Sequence, residues 1–127
     1  MRPVQNSDAV WLIKAYSDWH EINPDHLPVT QHDVNKWVLR WQKTSNDEWA
    51  FVNDESTALI SYRQNMFACM VDNLVVHPDH RGQGKASKLI KELTQYLFEN
   101  GALVATFKTL PGPIRERYPD GHVSILE

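Results

Sequence analysis

The stretch Leu74-Val75-Val76-His77-Pro78-Asp79-His80-Arg81-Gly82-Gln83-Gly84-Lys85-Ala86 joins an apolar run to a helix through a basic, glycine-containing turn. Upstream, Met66 to Val76 reads as a strand; downstream, Ala86, Leu89, Ile90, Leu93 and Leu97 recur at helical spacing. The turn therefore lies at a helix N-terminus, where the first backbone N–H groups lack helical partners and the helix dipole favours negative charge. Amides from Gly82 to Ala86 are expected to point outward there, an arrangement suited to a phosphate.

Spacing separates the anion-binding loops that share this setting. A P-loop needs Gly five residues before its Gly-Lys pair and Ser or Thr after it, but Asp79 and Ala86 hold those positions. A dinucleotide fingerprint can use Gly82, Gly84 and Ser87, yet the upstream elements are not those of a first βαβ unit. The segment instead resembles the acyl-CoA site of the GNAT superfamily of N-acyltransferases. That pattern is Arg or Gln, two residues, Gly, one residue, then Gly or Ala, and Arg81, Gly84 and Ala86 fill it. Leu74, Val76 and Pro78 before the turn and the amphipathic helix after it match the family's surroundings. A tight turn into a helix also uses glycine, but has no need of Arg81 and Lys85 beside it.

At 127 residues, with 42% hydrophobic and 23% charged residues, the chain is expected to form one domain, residues 1–127, around a single core. The N-terminus lacks a signal-peptide layout and no run matches a membrane helix, so a cytoplasmic protein is expected. A net charge of −3 argues against nucleic acid as the main partner. Acidic residues gather at Asp18, Glu21 and Asp25 and at Asp47, Glu48, Asp54 and Glu55; they are solvated surface or an attraction for a cationic amine. Cys69 reads as a buried, inert thiol. The six His show no metal-ligand spacing, and no metal is expected.

Read along the chain, Arg2 to Gln5 is a short strand and a helix follows with Ala9, Leu12, Ile13, Tyr16 and Trp19 on one face. Thr30-Gln31-His32-Asp33 resembles a capping box before a stripe of Val34, Trp37, Val38 and Trp41. Trp49 to Val52, Thr57 to Tyr62 and Met66 to Val76 form an antiparallel meander. The motif helix ends at Asn100-Gly101; Ala102 to Phe107 is a strand parallel to the third meander strand. A short helix from Pro113 and a strand from His122 to Leu126 complete the order β-α-α-β-β-β-α-β-α-β. This is a mixed α/β fold with a mostly antiparallel sheet, and the resemblance implies the same order.

The resemblance further implies which parts would meet acetyl-CoA. The pyrophosphate would meet Arg81, Gly82, Gln83, Gly84, Lys85 and Ala86, with Lys88 as a further cation, and the pantetheine arm would meet backbone at Leu74, Val75 and Val76. It implies N-acetyltransfer to a primary amine by direct attack, with a backbone N–H near Val75 or Val76 at the oxyanion. Tyr118 stands where the family often carries an acid for the leaving thiolate, and Asp72 where many members carry Glu, a candidate base. Each has a plainer reading, as a packing ring and a strand-face carboxylate. His77 and His80 read as solvated loop residues. The acceptor, a small molecule or a protein amine, would meet Trp19 and the His20 to Leu27 loop, and a homodimer is compatible with the open sheet edge. Pro111-Gly112-Pro113 and Gly121-His122 depart from the family pattern, which keeps open a catalytically silent acyl-CoA-binding or protein-interaction module.

Overall fold

Apolar periodicity decides where each element runs and which face it buries. The computed structural model describes residues 1–22, 29–43, 47–65, 68–107 and 122–124. They form β1 (Arg2–Pro3), α1 (Asp8–Ile22), α2 (Gln31–Lys43), β2 (Glu48–Val52), β3 (Ala58–Asn65) and β4 (Ala68–Val76). A 3-10 turn (Pro78–His80), α3 (Lys85–Glu99), β5 (Val104–Phe107) and β6 (His122–Ser124) follow. The order agrees with the sequence, though β1 is shorter and β3 longer than expected. The expected helix near Pro113 lies outside the described residues.

The described strands form one sheet in chain order, β1 to β6, and every neighbouring pair is antiparallel except the parallel pair β4–β5. Each face of the sheet carries its own apolar cluster. On one, Leu89, Ile90, Leu93 and Leu97 of α3 pack on Ile60, Tyr62, Cys69 and Val71. On the other, Leu12 and Tyr16 of α1 and Val34, Val38 and Trp41 of α2 pack on Ala50, Val52 and Leu59. Burial raises the Cys69 thiol pKa, as an inert thiol requires.

Strand β4 carries an irregularity that the periodicity did not reveal. Ser61 pairs with Asn73 but Tyr62 pairs with Val71, so Asp72 is an extra residue, a β-bulge. The bulge reverses the side-chain phase. Before it, Cys69 and Val71 face α3; after it, Leu74 and Val76 do, while Val75 packs toward α1 and α2.

Local hydrogen bonds fix the helix starts. Thr30 and Asp33 form the expected reciprocal cap: the Asp33 N–H donates to Thr30 Oγ1 at 3.1 Å, and the Thr30 N–H to Asp33 Oδ2 at 3.0 Å. At α1 the cap is a buried charge. Asp8, 2% exposed, accepts from both Arg2 guanidinium nitrogens at 3.0 and 2.9 Å, the Gln5 N–H at 2.7 Å and the Trp11 indole N–H at 2.9 Å. Burial pushes the Asp8 carboxyl upward, but these bonds from Arg2, Gln5 and Trp11 together outweigh it and hold the pKa below the ordinary value. The stabilisation is therefore complete above the ordinary carboxylate pKa and is lost as the pH falls through the lowered one. Asp8→Asn should reduce stability at pH 7 by on the order of 2 kcal/mol in urea denaturation. The gap from wild type should close as the pH is taken below about 4. A gap unchanged at pH 2 would assign the effect to packing instead.

Candidate functional site

The site is built where β4 leaves β5. Their parallel pairing joins Ala68–Val71 to Val104–Phe107, and β4 then continues for five residues with β3 as its only strand neighbour among the described residues. Hydrogen-bond parity shows what this edge offers. Asn53 donates its N–H to the Ala58 carbonyl at 3.0 Å, and the Ala58 N–H bonds the Asn53 side chain at 2.9 Å, so both groups of Ala58 face away from β4. Its β4 partner, Val76, therefore turns its own N–H and carbonyl away from β3. Leu74 does the same by alternation, whereas Val75, opposite Leu59, turns toward β3. The exposed backbone positions are thus Leu74 and Val76; Val75 contributes its side chain to the other face.

Beyond β4, the 3-10 turn and two left-handed glycines bring the chain into α3. His77 donates its N–H to the Thr57 carbonyl at 2.7 Å, and its Nδ1 accepts the Asp79 N–H at 3.1 Å. His77 is therefore a cap, and the His80 ring packs edge-on against it, 5.3 Å between centres. Gly82 and Gly84 have φ of +75° and +76°, a region costly to residues with a Cβ. A Cβ added at either would meet no atom of the described residues within 4 Å, so the space over both is open to them.

Gly84 caps α3 with no side-chain hydrogen bond, and the first turn carries no acidic residue. Among the described residues, no hydrogen bond takes the backbone N–H of Gly82, Gln83, Gly84, Lys85, Ala86 or Ser87. Six consecutive amides at a helix start, under open space and beside the dipole's positive end, form an anion cradle.

The side chains of the motif divide differently from the sequence expectation. Arg81 donates from Nε to the Val76 carbonyl at 3.3 Å and reaches the Ala15 carbonyl of α1 at 3.5 Å, tying the turn to β4 and α1. The Lys85 ammonium pairs with the Glu55 carboxylate in the β2–β3 turn. Lys88 lines a small cleft with Asn53, Asp54, Glu55, Lys85 and Glu92. The phosphate-facing character of the turn thus rests on backbone amides more than on cations.

Asp72, the bulged residue, is not the exposed strand-face carboxylate of the plainer reading. Its side chain is 6% exposed, and Oδ2 accepts from Arg63 Nε at 2.6 Å. Oδ1 is buried and accepts no hydrogen bond among the described residues. Beside it, the Tyr16 hydroxyl donates to Asn73 Oδ1 at 3.1 Å and Asn73 Nδ2 donates to Ser61 Oγ at 2.8 Å. Burial raises the Tyr16 phenol pKa, so it stays protonated as this donor. Neither this chain nor Arg63 was singled out from sequence; the only available signal was Arg63 alternating onto the same face as Ser61. Tyr118, the 111–113 segment, Gly121 and the 23–28 loop lie outside the described residues.

A family profile confirms the pattern that the cradle and the open β4 edge suggest: the Acetyltransferase (GNAT) family matches residues 12–111. The chain belongs to the GNAT acetyltransferase family. No curated protein sequence matches it. Solved structures share its fold. An acetyltransferase from Thermus thermophilus is 16% identical with a TM-score of 0.70, covering 94% of this chain and 81% of its own. The PaiA N-acetyltransferase from Thermoplasma acidophilum, solved with coenzyme A, is 13% identical with a TM-score of 0.68, covering 94% and 86%. A Bacillus halodurans protein described as a transcriptional regulator is 15% identical with a TM-score of 0.71, covering 94% and 87%.

In this GNAT domain, Gly84→Glu should abolish coenzyme A binding measured by calorimetry. The substitution puts a side chain into the open space over the cradle and a negative charge at the start of α3. Unchanged affinity in a folded variant would remove the cradle from the cofactor site.

Proposed function

We propose that this protein is an N-acetyltransferase that moves the acetyl group of acetyl-CoA to a primary amine by direct attack within a ternary complex. The observation that carries the proposal is the continuity, among the described residues, of the open β4 edge at Leu74 and Val76 with the unbonded amides of Gly82–Ser87. Acetyl-CoA has the matching order: a thioester, an amide-bearing arm and a pyrophosphate. The arm can add to β4 as a strand would, and the pyrophosphate can take the cradle amides.

The chemistry then needs three groups. The outward Val76 N–H suits the tetrahedral oxyanion formed when the amine nitrogen attacks the thioester carbonyl, because an oriented donor needs no reorganisation as charge develops. The Val75 N–H, turned to β3, does not fit that role. Asp72 takes a proton from the attacking ammonium centre, directly or through water. The carbon–sulfur bond breaks, and Tyr118 returns a proton to the leaving thiolate. The acceptor is an amine of a small molecule or a protein.

A second reading is a silent acyl-CoA-binding module. One observation favours it: the Bacillus halodurans protein of the same fold is described as a transcriptional regulator. Turnover of acetyl-CoA with a panel of spermidine, an aminoglycoside, a free amino acid and lysine- or alanine-ended peptides separates the two. With the acceptor that turns over, Asp72→Asn should lower kcat/KM most at low pH, and Tyr118→Phe should lower kcat about a hundredfold at nearly unchanged coenzyme A affinity. A pH-independent loss at Asp72, or full activity in Tyr118→Phe, would remove the respective role.

A further inference from the structure

Two carboxylates and two guanidiniums gather on the α1–α2 face of the sheet, at the bulge. Arg63, on β3, lies 2.6 Å from Asp72 Oδ2 and 3.9 Å from Glu48 Oε1. Glu48, on β2 and only 7% exposed, is held chiefly by Arg40 of α2, whose Nε is 2.7 Å from Oε2. From α1, the Tyr16 hydroxyl donates to the adjoining Asn73. Among the described residues Arg63 is thus the cation that serves Asp72, while Glu48 has Arg40 as a cation of its own.

The division of Asp72's oxygens is unequal. A buried carboxylate oxygen without a hydrogen bond is costly, and structures retain such a group where function uses it or a donor comes to it. Oδ2 is satisfied by Arg63, and Oδ1 is left open among the described residues. The bulge explains why the carboxylate lies here at all, since the extra residue places Asp72 and Asn73 consecutively beside Arg63 and Ser61 instead of on opposite faces.

We propose that Arg63 is a positioning residue for Asp72, gripping Oδ2 from the neighbouring strand so that Oδ1 is the oxygen that receives the proton of the acceptor amine. This rests on the reading of Asp72 as the base. Arg63 itself touches no reacting atom. A carboxylate deprived of its cationic neighbour binds its proton more readily, and Glu48 would then face Asp72 without Arg63 between them.

The test is the pH profile of kcat/KM at saturating acetyl-CoA, with spermidine as acceptor, or the most active amine of the panel if spermidine is not turned over. Arg63→Gln should move the acid limb to higher pH, and activity should recover at high pH. Arg63→Lys, which keeps the charge, should retain the wild-type limb. In an Asp72→Asn background, Arg63→Gln should add no further loss. Arg63 is more than half exposed, so its removal leaves no core cavity; Arg63→Leu serves if the Gln variant fails to fold. An unmoved limb in Arg63→Gln, or an equal loss in the Asp72→Asn background, would overturn the positioning role. A wild-type profile in Asp72→Asn alone would instead show that the base reading has failed, and the positioning role with it.

Discussion

One inserted residue governs the functional half of this molecule. Asp72 interrupts the β3–β4 ladder, and among the described residues the parallel pairing to β5 runs no further than the residue before it. A strand that stayed in register with both neighbours would spend its backbone groups on them and leave no edge for a substrate. Past the bulge, β4 keeps β3 on one side and, among the described residues, leaves Leu74 and Val76 open on the other. The reversed side-chain phase still lets Leu74 and Val76 pack toward α3. The sheet therefore opens without exposing its core.

The second constraint is electrostatic, and it acts through the backbone. The chain is acidic overall, and the most prominent lysine of the turn is claimed by Glu55. Beside Arg81 and Lys88, the start of α3 is itself positive, and its left-handed glycines stand clear of the other described residues. Arg81 contributes by holding this turn to the Val76 and Ala15 carbonyls. The edge and the cradle are thus fastened to each other, so that a ligand spanning both meets a preorganised surface.

Most of the fold was legible because its signals are local. The α3 stripe, the Thr30–Asp33 cap and the meander each depend on residues close in sequence, and each stands as expected. The cradle was legible for the same reason, since Gly82 and Gly84 act where they stand. The bulge was not, because the run is apolar on both faces before Asp72 and after Asn73, and a shift of phase leaves no mark in such segments. The Arg63–Asp72 pair spans two strands whose register the bulge itself sets, so no pattern within either strand announces it. The Lys85 pairing was not legible either: beside the glycines it reads as a phosphate ligand, and its Glu55 partner comes from a turn 30 residues upstream.

The central claim is that one continuous surface, from the β4 edge to the start of α3, receives the cofactor. An amide-resolved NMR titration of the isotope-labelled protein with coenzyme A tests it directly. Saturable shifts should concentrate at Leu74, Val76 and Gly82–Ser87, with the far edge of the sheet at β1 and β2 unmoved. Saturable binding that leaves these amides in place and shifts another surface would contradict the account.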